Sequence, residues 1–413
     1  MGPMKIQASS RGLLCLVALA LPLCPLGGCS SGEEEGCRAP GPRPYAAVSD
    51  ETFARGPWIA HAAPDALTIG WETAEACRGR LELGRAGQAL ALAAQDEGQR
   101  TEHLLTAGGL RPDTRYTYRL VCGQTSAEHT AYTAPEAGDA VRFAVLADSQ
   151  SHPEVSGRVL AELEGFEPHL VLHAGDAVGD GQIDALWDLE VFAPFGPVQD
   201  HLAVYFAIGN HEGHGEVYYR RSPGALLSPE SPVGTCFAFS AGNLFVLVVD
   251  TEHAFFPIED VDTPISAWIK QVAGSPAARA ATWRVVIGHE PALAEGWSPG
   301  SCEPPDTFDG YPPVRTWLLP YLAAQGFQVY FAGHTHAYER GVVEGVHTFV
   351  TGGGGGTLDE HCRDLPEIEV FRAAHHHLRV SADCEAMTVQ AWALDETEPF
   401  DEVVIPALGP LAD

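Results

Sequence analysis

Basic side chains are scarce in this 413-residue chain: 24 Lys and Arg stand against 55 Asp and Glu, a formal charge of −31. A surface that acidic repels polyanions at long range, which argues against nucleic acid or a phosphate polymer as the natural partner. Acidity also serves plain solubility, and by itself it assigns no function. None of the 10 cysteines is spaced C-x-x-C, so a thiolate zinc site or a dithiol redox motif has no support. Membrane-length apolar runs are missing too. Leu13 to Leu26 follows Lys5 and Arg11 and is too short for a comfortable span, which reads as the core of a signal peptide.

That run closes on Leu26-Gly27-Gly28-Cys29, which resembles the lipobox of bacterial lipoproteins. The resemblance implies that residues 1–28 are removed and that Cys29 carries lipid. Ser30 next to it is similar to the outer-membrane sorting pattern, so the expected location is the bacterial cell envelope, with the membrane as a partner through that lipid. The alternative is an ordinary secretory signal releasing a soluble protein. Loss of Lys5 and Arg11 leaves 22 basic against 55 acidic side chains, a charge of −33. Residues 29–44, with the run "SSGEEEGCRAPGPRP", have the composition of an extended, disordered tether. An exported chain can oxidise its cysteines. Cys77 and Cys122 fall in a first domain, Cys236, Cys302, Cys362 and Cys384 in a second, and Cys37 is left over in the tether.

From Tyr45 to Pro135 short strands alternate with turns. In "ALTIGWET" the residues Leu67, Ile69 and Trp71 alternate, and "GRLELG", "HLLTAGGL" and "RYTYRLVC" follow, which predicts a small all-β sandwich. The stretch "GLRPDTRYTYRL" is similar to the tyrosine corner of a fibronectin type III module, with Trp71 as its core tryptophan. Cys77 and Cys122 then meet at one end of the sandwich. A packing platform and a binding module are both open roles for it.

Over residues 139–408 the rhythm becomes apolar strands separated by helical stretches, predicting an α/β (α+β) domain. The runs "VRFAVLAD", "HLVLHAGD", "LAVYFAIGNH", "NLFVLVVDTE", "WRVVIGHE" and "FQVYFAGHTH" each end in Asp, Asn, Glu or His. Ligands in open α/β sheets bind beyond the carboxyl ends of the strands. One crevice should therefore collect Asp148, Asp176, Asn210, His211, His289, His334 and His336. Singly, each reads as a turn former, a helix cap or a loop histidine. Together they are a set of hard O and N metal ligands, which suits Fe, Zn or Mn.

In order and spacing, "AD-x-Q", "GD", "GNHE", "V-x-x-H" and "GHTHAYER" resemble the calcineurin-like metallophosphoesterases. The closing motif and the preceding sandwich resemble the purple acid phosphatase branch. The resemblance implies a metallophosphoesterase sandwich with two metal ions bridged by Asp176. Asp148 and His336 would bind the first, and Asn210, His289 and His334 the second. His211 would face the phosphate as catalytic residue. Such a pair clamps a phosphoryl group and lowers the pKa of a bound water. The implied activity is hydrolysis of a small phosphorylated substrate, a monoester first and a diester as alternative. A binding protein with an impaired site is the rival.

Two positions depart from the family pattern. Gly179 stands where the purple enzymes have a tyrosine, and Gln150 stands where the wider family has a histidine. Gln150 can offer the first metal a neutral amide oxygen, and Asp180 and His152 are candidate substitutes. Three softer features remain. "TGGGGG" (Thr351 to Gly356) either lets backbone approach the site or forms a loop away from it. "HHH" (His375 to His377) is either a metal tract or a surface stretch leading into a strand. Cys302 and Cys362 suit a disulfide between rim loops.

Overall fold

Alternation in strand Ala66–Cys77 puts Leu67, Ile69 and Trp71 on one face, all fully buried. This strand is central in a sheet ordered Arg55–Ala62, Ala66–Cys77, Arg100–Gly108. The facing sheet is ordered Ala91–Gln95, Arg80–Arg85, Arg115–Cys122, Thr125–Tyr132, and its Leu81, Tyr118 and Leu120 share the core with Trp71. Tyr116 Oη accepts the backbone N–H of Arg111 at 2.9 Å, closing the expected corner. The computed structural model describes residues 37–44, 53–213, 216–221, 223–252, 263–304 and 307–408. The signal peptide, Cys29 and the first half of the tether lie outside the described residues.

The region after the first two sheets is a second sandwich built from two mixed sheets. One is ordered Val204–Phe206, Leu170–His173, Val141–Leu146, His376–Ala382, Ala386–Ala393, Asp401–Pro406, with the first three strands parallel. The other is ordered Phe237–Ala241, Leu244–Val248, Trp283–Ile287, Val329–Ala332, Val346–Thr351, Tyr338–Val343, Ile368–Arg372, with a parallel block from Leu244–Val248 to Val346–Thr351. Phe143, Val145, Val285, Ile287 and Phe331 fill the space between the sheets. Helices cover the outer faces. Val159 and Leu160 of Pro153–Glu164 pack outside the first sheet, and Trp268 and Ile269 of Pro264–Ala273 outside the second. The architecture is a mixed α/β sandwich preceded by antiparallel β-sheets.

The first sandwich docks through polar contacts as well as packing. Tyr118 Oη donates to the Asp200 carbonyl, His129 Nδ1 lies 2.9 Å from Asp200 Oδ2, and His61 Nδ1 lies 2.9 Å from Tyr205 Oη.

Cys77 pairs with Cys122 and Cys302 with Cys362. Cys37, expected to be left over, instead pairs with Cys384, and the buried Cys236 is the free thiol among the described residues. The reason is that residues 37–44, expected to be an extended tether, are held against the fold. Ala140 N–H donates to Arg38 O at 3.1 Å and Arg142 to Gly41 O at 3.0 Å. Arg43 is 2 % exposed, donates to Asp113 at 2.6 Å and to Thr133 O at 3.0 Å, and lies over the Tyr132 ring. Three disulfides fit an oxidising, extracytoplasmic compartment. No helix among the described residues is long and apolar enough to cross a membrane.

Arg43→Ala removes charge-assisted hydrogen bonds from a buried site and is expected to lower the unfolding free energy by about 2 kcal/mol in urea titrations. An unchanged midpoint would mean that this segment contributes nothing to the folded state.

Candidate metal centre

Three parallel strands of the first sheet deliver acids and an amide. Val141–Leu146 leads to Asp148, Leu170–His173 to Asp176, and Val204–Phe206 to Asn210 and His211. Two strands of the second sheet deliver imidazoles. Trp283–Ile287 leads to His289, and Val329–Ala332 to His334 and His336. Asp148, Asp176 and His334 have φ of 54°, 57° and 72°. A left-handed backbone costs a residue with a side chain about 1–2 kcal/mol, and here it turns the side chains back over the strand ends.

The Asp176 carboxylate joins the two sets. Its Oδ1 accepts the His211 backbone N–H at 2.8 Å, and its Oδ2 lies 3.2 Å from His289 Nε2 and 3.9 Å from His211 Nε2. Asn210 Oδ1 is 3.1 Å from His289 Nε2 and 3.0 Å from His334 Nδ1. Among the described residues, Asp176, His289 and His334 bring ligand atoms within 4.8 Å of one another. On the other side, Asp148 Oδ1 lies 3.5 Å from His336 Nε2, and Asp148 accepts the His334 backbone N–H. Gln150 Nε2 is 3.5 Å from His336 Nε2, and its Oε1 is buried with no hydrogen-bond partner. All eight candidates therefore line one crevice where the two sheets meet.

Backbone carbonyls orient the rings. His289 Nδ1–H donates to Ala174 O at 2.9 Å, His336 Nδ1–H to Thr357 O at 2.7 Å, and His211 Nδ1–H to Gly179 O at 2.7 Å. Each bond leaves Nε2 as the free nitrogen facing the carboxylates, the tautomer that a ligand imidazole requires. Burial opposes charge throughout the crevice. It would raise Asp176, but His289 and His211 bring that carboxyl down to about 2. Burial raises Asp148 and, with His289 adding to it, lowers His334 to about 3. Burial works against protonation of His336 also, yet Asp148 lifts it to about 9. A cation entering here replaces such protons as the counter-charge.

Several supporting residues were missed at the sequence level. Glu212 accepts the backbone N–H groups of Asp176, Ala177 and Gly209 at 3.0, 2.6 and 2.6 Å, tying two strand ends together. Its signal was its place directly after the paired polar tip in "GNHE". Burial, with Asp176 nearby, pushes its carboxyl up to about 7. Thr251 Oγ1 accepts the His289 and Glu290 N–H groups at 3.1 and 3.0 Å. The glycine run packs on the site: Gly356 N–H donates to Asp148 O at 2.8 Å and Gly354 N–H to Ala147 O at 2.9 Å. A Cβ on Gly352 would stand 2.1 Å from Thr335 O and 2.7 Å from Asp148 Oδ2.

Other expected candidates are engaged elsewhere. His152 Nδ1–H donates to Gly355 O, and Asp180 accepts the Gln182 N–H. Tyr338, the tyrosine of the closing motif and not itself an expected ligand, donates its Oη to Asp401 at 2.6 Å. His376 and His377 are buried, not on the surface: His376 donates to Ala374 O, and His377 Nε2 accepts from Arg379. Gly179 N–H donates to Glu190 Oε2 at 2.6 Å, so its peptide positions His211 in place of offering a side chain.

Residues 141–338 match the family described as Calcineurin-like phosphoesterase. The fold of this region is the mixed α/β metallophosphoesterase sandwich. The family's members are generally metal-dependent hydrolases. A purple acid phosphatase, PPD1 from yellow lupin (Lupinus luteus) seeds, superposes with a TM-score of 0.68 at 17% identity, covering 85% of this chain and 74% of that one. The structure of PhoD superposes with a TM-score of 0.65 at 14% identity, covering 87% and 90%. No curated protein matches the sequence significantly. At these identities the likeness is one of fold.

Gly352→Ala is expected to displace Thr335 and Asp148 and to weaken metal retention by about tenfold, read by metal analysis after dialysis. Unchanged metal content would show that the glycine run has slack.

Proposed function

We propose that this protein is an exported phosphoesterase with a dinuclear metal centre, hydrolysing phosphate monoesters of small molecules. The observation that carries the reading is the convergence of Asp148, Gln150 and His336 on one side of Asp176 and of Asn210, His289 and His334 on the other. The donor set fits Fe, Zn or Mn: carboxylate, amide and imidazole, no thiolate, with Nε2 of His289 and His336 left free by their backbone bonds. Gln150 supports the fit with a buried amide oxygen that lacks a donor. When bound, the two cations would clamp the phosphoryl oxygens and acidify a water.

The remaining work falls to the chain. Asp176 holds charge between the two ligand sets. His211, with 41% of its side chain exposed and Nδ1–H fixed on Gly179 O, directs Nε2 toward the crevice, where the doubly protonated imidazole hands its Nε2 proton to the leaving oxygen and is left neutral with Nδ1–H in place. Buried Asp148 and Glu212 hold the loops so that these groups need not reorganise during the reaction. A lipid on Cys29 would keep the enzyme at the bacterial cell envelope, and the three disulfides suit that side of the membrane.

Asp176→Asn is expected to cost more turnover than any other single ligand change, with metal content falling in parallel; wild-type rates in that variant would end the two-metal reading. His211→Ala should keep both metals and lower kcat by about 10²–10⁴, whereas joint loss of metal and activity would make His211 a ligand.

Gln150→His should make the first metal harder to strip with a chelator, because an imidazole replaces a neutral amide. Iron-loaded wild type should lack an intense purple band, since Gly179 supplies no phenolate. Equal stripping of both proteins, or a purple band, contradicts the assignment of these two positions.

A further inference from the structure

His334 packs against two aromatic rings that the proposed chemistry does not use. The Trp297 centroid lies 5.3 Å from that of His334, the Phe308 centroid 4.9 Å, and the two rings are 4.8 Å from each other. Both remain partly exposed, so the cluster presents an outer surface beside the imidazole that faces the metal position. The Trp297 side of the ledge is firmly held. Gly296–Trp297 pairs with Glu360–His361, Cys302 is joined to Cys362, and Gly300 N–H donates to Glu360 at 2.7 Å. Buried Glu339 accepts the N–H groups of Glu295 and Gly296 at 2.8 and 3.0 Å. A surface fixed in advance loses little freedom on binding.

Its charge narrows the occupant. Residues 296–310 read "GWSPGSCEPPDTFDG", with three acids and no Lys or Arg. Glu303, Asp309 and Glu360 are exposed. Aromatic faces rimmed by carboxylates attract cations, while a chain of charge −31 repels an alcohol carrying further phosphates. A neutral ring would use the aromatic surface and gain nothing from the acids.

We propose that Trp297 and Phe308 form a leaving-group subsite for phosphate monoesters whose alcohol carries an ammonium group, of the choline or ethanolamine kind. The subsite rests on the monoesterase reading given above. Trp297 supplies the main face, Phe308 the second, and the acids of the rim raise the local concentration of the cationic ester.

The test uses the metal-loaded, full-length protein and three esters: choline phosphate, its neutral isostere 3,3-dimethylbutyl phosphate, and phenyl phosphate. The kcat/KM for choline phosphate should exceed that for the isostere about tenfold, a preference of the size cation–π contacts supply. Trp297→Leu should bring that ratio close to one, and Phe308→Leu part of the way. If either variant fails to fold, Asp309→Asn, which leaves the rings in place, should still lower the ratio about twofold. Equal values for the two isosteres in wild type, or a preference for phenyl phosphate, overturns the proposal. A readout independent of turnover is choline alone titrated against tryptophan fluorescence, where wild type should respond and Trp297→Leu should not. Hydrolysis of none of the three esters would refute the monoesterase reading, while the choline titration still decides the subsite. No choline response in wild type refutes the subsite whatever the turnover.

Discussion

The Asp176 carboxylate, 2 % exposed, is the point on which the two sheets depend. A buried charge is costly unless paired, and Asp176 meets that demand by taking a backbone N–H from His211 on one sheet and facing His289 from the other. The approach is so close that the neighbouring positions tolerate no side chain. A Cβ on Gly209 would fall 2.2 Å from Asp176 Oδ1, and one on Gly175 would fall 2.6 Å from His289 Nδ1. Glu212 then ties the backbone of both loops into one carboxylate. The crevice is thus a rigid seam between sheets, and the left-handed backbone at Asp148, Asp176 and His334 is sustained by its surroundings.

Everything outside the seam restrains it from a distance. The cores between and outside the sheets fix the strand directions, and the direction of each strand fixes where its last residue points. The disulfides sit at loop ends, not in the cores. Cys302–Cys362 joins the loop after Trp297, whose ring packs on His334, to the Glu360–His361 strand, and Cys37–Cys384 holds the N-terminal segment to the hairpin between His376–Ala382 and Ala386–Ala393. Small rearrangements of loops that carry functional groups are thereby limited where packing is thinnest.

Much of this was legible in the chain itself. Apolar runs ending in polar residues marked the strands and their tips, and period-two alternation marked Leu67, Ile69 and Trp71 as a buried face. Both patterns survive because burial acts on residues a fixed distance apart along one element. Cys77–Cys122 was anticipated from the strand ends of the sandwich that the tyrosine-corner resemblance implies, and Cys302–Cys362 from loops flanking the closing motif and the glycine run.

What could not be read concerned groups brought together from far apart. Cys37 and Cys384 are separated by 347 residues, and a disordered-looking composition hid the buried Arg43 and its contacts. The histidine run near the C-terminus could be called a metal tract or a surface strand. Its burial depends on pairing with Val141–Leu146 and Ala386–Ala393, which no local pattern reveals. Glu212 and the Trp297–Phe308 ledge were equally silent, since an acid or an aromatic residue acquires a role only from what the fold sets within a few ångströms of it. The order of strands and the chemistry of their tips belong to the sequence, because they follow from local periodicity and side-chain type. Which tips face one another across the seam belongs to tertiary structure, because hydrogen bonding and charge pairing act through space and take no account of distance along the chain.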